Sequence, residues 1–156
     1  MEVKIDNTDK KILNVLIDDA KLSYRKIAKK TGVSVATVMN RINRLKKEGI
    51  ITKYTIGVKY SKIGYDMQVI IDVRISEGRL KDAEEKIALH PNVFAVYDNT
   101  GQFDATVIAK FKNRSSLDSF LKKIQSYDFV ERIETKLLLS TVKEHMIKLP
   151  IDSFKE

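Results

Sequence analysis

Three helical periodicities in the first fifty residues, a break in net charge near residue 62, and a β-α-β-β-α-β alternation after it predict an α+β chain in two parts. Residues 1–62 hold fifteen Lys/Arg against six Asp/Glu, a net of +9, while residues 63–156 carry a net of −1. A basic first part joined to a neutral second part implies that only the first faces a polyanion.

The first helix is capped by Asp6 or Thr8. Its apolar positions Ile12, Leu13, Leu16 and Ile17 fall three or four residues apart, and Lys10, Lys11 and Asn14 are left to solvent. Ser23 caps a second, short helix through Lys30, with Ile27 and Ala28 inward. Gly32 supplies the residue that a helix C-terminus favours. Ser34 then starts a third helix in which Val38, Ile42 and Leu45 repeat at helical spacing, and Gly49 stops it after Lys46 and Lys47.

Two short helices around one glycine are a common pattern, and the side chains sharpen it. Between Ala20 and Lys47 there are nine Lys/Arg and no Asp or Glu. A solvated face normally mixes both signs, so this run describes a basic helix-turn-helix with double-stranded DNA as its partner. Ser34, Val35, Ala36 and Thr37 open the third helix, where base edges are met first. Asn40 suits an adenine edge and Arg41 or Arg44 a guanine edge, while Ala36 and the Thr37 methyl suit thymine methyls. Ser23, Arg25 and Lys26 would hold phosphates and fix register without reading sequence.

Residues Ile51 to Val58 are β-prone and alternating, which predicts a strand serving as a wing or as a connector. Lys53 on it either adds a phosphate contact or has no such role. The expected division is a DNA-binding domain over 1–52, a connecting strand and turn over 53–64, and an assembly and sensing domain over 65–156.

In the second part Met67, Val69, Ile71, Val73 and Ile75 alternate with polar residues as a half-buried strand. Arg79 to His90 reads as a helix stopped by Pro91. Val93 to Tyr97 is a strand, Gly101 breaks the pattern, and Phe103 to Phe111 alternates again. Ser115 or Ser116 caps a helix with Leu117, Phe120, Leu121 and Ile124 inward, and Val130 to Val142 forms a long last strand. This order is the split unit of the ferredoxin-like fold. Both helices of such a unit cover one sheet face. Ile70, Ile108 and Leu138 or its neighbours Leu137 and Leu139 fall on the other, and an open apolar face asks for a second copy of the chain.

Thr100-Gly101-Gln102-Phe103-Asp104 is the candidate ligand turn. The glycine lets backbone amides approach a carboxylate, and Asp104 can take an ammonium group, so together they suit a free α-amino acid. A plain hairpin turn with a solvated Asp has the same spacing.

Other chemistry is excluded. The chain lacks cysteine, and His90 and His145 have no metal-ligand spacing, so neither a metal nor another cofactor is expected. No nucleophile-base set or phosphate loop appears, which argues against an enzyme. Apolar runs fall far short of the roughly 20 residues of a membrane span, and Met1 to Thr8 is polar and charged, so no membrane is expected and a cytoplasmic protein is.

Asp6 to Leu16, Ser23 to Gly32, Ser34 to Leu45 and the Glu48-Gly49-Ile50-Ile51 exit resemble the winged helix-turn-helix of the Lrp/AsnC (feast/famine) family of bacterial and archaeal transcription regulators, and the likeness continues through most of the chain. The resemblance implies a sequence-specific regulator that forms dimers, often stacked into larger even-numbered assemblies. It also implies that Gly101 and Asp104 line an amino-acid effector pocket between dimers, with Tyr97, Asn99 and Thr135 on neighbouring strands. The chain departs from the pattern at Gln102-Phe103, where many members have an acidic residue and Tyr, and at Lys59-Tyr60, where they have Asp-Pro. The competing function is a non-specific, architectural DNA-compacting protein whose affinity rests on phosphates.

Overall fold

The computed structural model describes residues 3–76 and 78–151. It comprises two compact units. Of the described residues, 3–57 together with 143–151 build one, and those within 58–142 build the other.

The first unit holds α1 (Asn7–Asp18), α2 (Tyr24–Thr31) and α3 (Val35–Lys47). Asp6 caps α1 by accepting from Asp9 N–H at 2.9 Å, and Asp9 returns the bond to Asp6 N–H at 3.1 Å. Ser23 and Ser34 cap α2 and α3. Gly32 sits in the left-handed region at φ 74°, which L side chains adopt only with strain, and so ends α2. Ile12, Ile27, Ala28, Val38 and Ile42 form a closed core, with Val15, Leu16, Leu22, Val33 and Ile51 packed around it. Full burial of each large side chain contributes roughly 1.5–3 kcal/mol. Ile17, expected inward, is exposed because the core stripe of α1 runs through Asp9, Ile12 and Leu16.

No strand forms over 51–58, contrary to the sequence expectation. A ladder needs a hydrogen-bonded partner, and among the described residues the sole sheet lies in the other unit. The alternation is real, but it leaves Tyr54, Ile56 and Val58 exposed. A single 3-10 turn, Tyr60–Ile63, follows.

The second unit runs β1 (Met67–Ile75), α4 (Leu80–Ala88), β2 (Val93–Asp98), β3 (Ala105–Phe111), α5 (Arg114–Gln125) and β4 (Val130–Leu138). The sheet order is β2-β3-β1-β4 with every pair antiparallel, which is the ferredoxin-like arrangement. Val69, Ile71, Val73, Ala105, Val107, Ala109 and Phe111 face α4 and α5, meeting Ala83, Ile87, Leu117, Phe120 and Ile124. Ile70 pairs with Ile108 on the opposite face, and Leu138 pairs with Gln68 there.

Several boundaries differ from those expected: α4 spans Leu80–Ala88 rather than Arg79 to His90, and β3 starts at Ala105 rather than Phe103. β4 stops at Leu138 rather than Val142, because its only neighbour is β1 and the register ends at Gln68↔Leu138. The cap of α5 is Asn113, which accepts from Ser116 N–H at 2.9 Å while Ser116 completes the capping box. β2 also carries a register shift between Val93 and Ala95, and β4 one opposite Arg74/Ile75.

Candidate nucleic-acid interface and ligand turn

Only Val33 separates Gly32 from the Ser34 cap, so α2 and α3 are joined by the shortest of links. The Gly32 and Val33 N–H groups both donate to the Ala28 carbonyl, at 2.9 and 3.3 Å, which closes α2. Ser34 Oγ accepts from Thr37 N–H at 3.0 Å and lies 2.8 Å from Thr37 Oγ1. Ser23 Oγ accepts from Lys26 N–H at 3.4 Å. These hydroxyls therefore hold helix starts.

Helical spacing divides α3 into three stripes. Val38, Ile42 and Leu45 are buried. Val35, Ala36, Met39, Asn40 and Asn43 are exposed, as are Arg25 and Lys26 on α2. Thr37, Arg41 and Arg44 form a third, half-buried stripe.

This third stripe departs from the expected outward set. Arg41 Nη1 donates to Asp6 Oδ2 at 2.6 Å and contacts both Asp9 oxygens at 3.3 Å. Arg44 Nη2 donates to Asp9, and its Nε lies 3.7 Å from Glu48. Asp9 is fully buried, so its charge must be compensated, and the two guanidinium groups do this with directed bonds. The Asp9 backbone N–H, and after it Arg41, hold the Asp6 carboxyl below its usual range; Asp6 in turn raises Arg41. The arginines assigned to guanine edges are thus engaged with α1. Sequence reasoning passed over Met39 and Asn43 in the exposed stripe. The signal was available, since Asn43 lies seven residues after Ala36 and three after Asn40.

In the second unit, Gly101 has φ 121° in the loop between β2 and β3. Asn99 N–H donates to the Asp104 carbonyl at 2.8 Å, and Asp104 N–H donates to the Val73 carbonyl at 3.0 Å. Asp104 Oδ2 accepts from Ile75 N–H at 2.7 Å, so this carboxylate closes the end of β1 rather than standing in solvent. The Phe103 ring lies 5.8 Å from the Arg132 guanidinium, a β4 residue that no sequence spacing singles out.

Tyr97 pairs with Thr106 and is exposed on the open face. The Asn99 amide lies 2.6 Å from Thr106 Oγ1, which donates to Asp72 Oδ1 at 2.6 Å, and Lys136 Nζ donates to Asp72 Oδ2 at 2.6 Å. Burial opposes ionisation of Asp72, but Lys136 and Thr106 outweigh it and leave its pKa lowered. Thr135 does not join this group. It pairs with Ile71, whose side chain faces the helices, and two strands separate it from β2. Thr100, Gly101 and Gln102 are exposed at the tip of the loop. Among the described residues no cluster of three or more potential metal ligands occurs, and no helix is long and apolar enough to cross a membrane.

A capped helix-turn-helix carried on the same chain as a ferredoxin-like domain defines a DNA-binding regulator with a separate ligand-binding domain. A family model described as winged helix-turn-helix DNA-binding matches residues 5–52, and one described as the Lrp/AsnC ligand binding domain matches residues 68–147. The chain belongs to the Lrp/AsnC family of transcriptional regulators, which are not enzymes. It is 42% identical over 142 residues to an uncharacterised HTH-type transcriptional regulator of Pyrococcus furiosus, covering 91% of this chain and 96% of the relative. It is 36% identical over 151 residues to the HTH-type transcriptional regulator FL11 of Pyrococcus horikoshii, covering 97% and 99%. The solved structure of Escherichia coli AsnC superposes with a TM-score of 0.86 at 30% identity, covering 94% of this chain and 100% of that one. A Neisseria meningitidis regulator in complex with L-Met has the same fold, with a TM-score of 0.85 at 24% identity, covering 94% and 97%.

Proposed function

We propose that this regulator is cytoplasmic, reads a specific operator in double-stranded DNA as a dimer or larger even-numbered assembly, and responds to a free amino acid. The observation that carries the reading is the exposed stripe of α3, where Val35, Ala36, Asn40 and Asn43 stand beyond a tightly capped turn. Amides match adenine edges, and small apolar groups match thymine methyls. Arg25 and Lys26 on α2 flank this stripe as phosphate anchors, and Ser23 can still donate its hydroxyl proton to a phosphate while its oxygen caps α2. Arg41 and Arg44 act first by holding α3 against α1, and base reading by either one requires that it leave Asp6 or Asp9.

The open sheet face supports self-association, since Ile70, Ile108 and Leu138 lie on it without helix cover. A two-fold dimer would present two α3 helices to a palindromic site, with half-sites one or more turns apart at about 34 Å per turn. The effector reading centres on Thr100 to Asp104. The exposed Gly101 backbone is approachable by a carboxylate, whereas Asp104 has one oxygen committed to Ile75 N–H and only the other to offer an ammonium group. The L-Met complex of the Neisseria relative is consistent with this class of ligand.

A gel shift tests the reading: purified protein on its own gene's upstream region against a scrambled fragment, at physiological salt with excess competitor. Specific recognition should exceed random-duplex binding by roughly a thousandfold or more. Equal retention of both fragments would favour the architectural DNA-compacting alternative. Absence of any change in assembly or operator affinity across the free amino acids would remove the effector half of the reading.

A further inference from the structure

The segment after β4 ends in contacts with α1. Asn14 Nδ2 donates to the Leu149 carbonyl at 2.9 Å, and Leu149 N–H donates to Asn14 Oδ1 at 2.8 Å. Lys148 Nζ lies 2.8 Å from the Asp18 carboxylate. Asn14 and Asp18 are four residues apart and share one face of α1, which is distinct from the Asp9–Ile12–Leu16 stripe that meets α2 and α3.

A side-chain amide that satisfies both the N–H and the C=O of one residue recognises extended backbone whatever the side chain there. Pro150 follows and has no N–H, so the pairing stops after Leu149. The attachment is polar. Lys148 and Asp18 are each more than half exposed, and Val142, Met146 and Ile147 before them are almost bare. An attachment of two directed hydrogen bonds and a screened ion pair, with Leu149 itself only half-buried, can open and close.

We propose that the outer face of α1 is a docking surface for the chain's own residues 148–149, and that this strap is a second tether of the DNA-binding unit. The first tether is the connection through residues 52–66, which has no strand to stiffen it. The strap follows β4 after nine intervening residues, 139–147, so the helices that carry the DNA-reading surface are joined to the assembly domain at two points of the chain. Two points limit the swivel that one flexible connection allows. The α1 helix is then held from both sides, by Arg41 and Arg44 through Asp6 and Asp9, and by the strap through Asn14 and Asp18.

The test uses the full chain without DNA, so its outcome is independent of the proposed operator and effector. The Leu149 amide is expected to exchange with solvent at least about tenfold more slowly than in a free peptide of residues 139–151. Asn14→Ala and Lys148→Asp should each remove most of this protection, and pairing Asp18→Lys with Lys148→Asp should restore part of it. Because the chain has no cysteine, Lys47→Cys provides a single dye site on α3. Fluorescence anisotropy of that dye should show faster local rotation in the Asn14→Ala background. Exchange of Leu149 at the free-peptide rate in the unaltered chain would overturn the strap, and unchanged dye rotation in Asn14→Ala would overturn its tethering role. Co-refolded Asn14→Ala chains and chains truncated after Thr141 should remain unprotected. Regained protection would assign the strap to a second copy and overturn the intrachain reading.

Discussion

Arg44 on the third helix and Asp9 on the first form a hydrogen-bonded ion pair in which the carboxylate is fully buried and the guanidinium is partly exposed. The pair spans 35 residues of sequence and fixes the helix that carries the exposed Ala36, Asn40 and Asn43 stripe. Arg41 joins it through Asp6 at 2.6 Å.

Asp9→Ala should therefore destabilise the first unit by about 1–3 kcal/mol, since it removes the charge-assisted bonds and the reciprocal cap to Asp6 N–H. Urea denaturation followed by helical circular dichroism measures this. A change within a few tenths of a kcal/mol would mean that the pair is decorative.

Base reading and support separate by mutation. Asn40→Ala should cost about 1–3 kcal/mol of operator binding and relax base preference, while Lys26→Ala should weaken all sequences evenly and lower the salt slope by about 1. Arg41→Ala is expected to lower thermal stability more than base preference, because its guanidinium is already held by Asp6 and Asp9. Binding assays on operator and single-base variants decide this. A sharp loss of preference at one base pair in Arg41→Ala would show that the arginine leaves Asp6 on DNA.

At the ligand turn, Gly101→Ala places a side chain at φ 121°, with nothing within 4 Å of the added carbon, so its cost is backbone strain of about 1–3 kcal/mol rather than a clash. Asp104→Ala should cost about 1–3 kcal/mol by leaving the Ile75 N–H without its acceptor. Both losses should appear in thermal melts without any amino acid. A variant that melts normally yet fails to respond to an effector would assign Asp104 to the ligand instead.

Asp72 has a carboxyl pKa lowered in the folded chain, so the folded state binds protons less readily than the unfolded state. Its stabilisation is present above the unfolded carboxylate value and is lost as pH falls through the folded one. His90 is also lowered, by burial and then by Lys123, so its contribution is full above the ordinary imidazole value and falls away as the solution is acidified below it. Stability measured against pH should show a shallower acid limb in Asp72→Asn and a loss of the step near neutrality in His90→Phe. Unaltered curves in both would place the pH response elsewhere.

Local signals made most of the fold legible. Ser23, Gly32 and Ser34 are caps whose chemistry is written in their identity, and the period-two runs of β1 and β3 carried their inward faces. Long-range pairing was not legible. Asp6 read as a candidate cap and Asp9 drew no reading at all, and only the packing of α1 against α3 reveals that they consume Arg41 and Arg44. Thr135 was grouped with Tyr97 because neither face nor strand order is visible without the register. The Asn113 cap was hidden by two nearby serines, and the β4 end by its dependence on where β1 begins. Asn14 read as a solvent-facing polar residue because its partner lies 135 positions away.

The rims of the sheet bear on how the nascent chain avoids misassembly. β2 is interrupted between Val93 and Ala95, and β4 displays Glu131, Arg132, Glu134 and Lys136 along its length. A kinked rim and a rim of mixed charge are both poor templates for a further strand. Growth into cross-β fibres is therefore opposed at both margins, even though Ile70 and Ile108 leave one face of the sheet apolar.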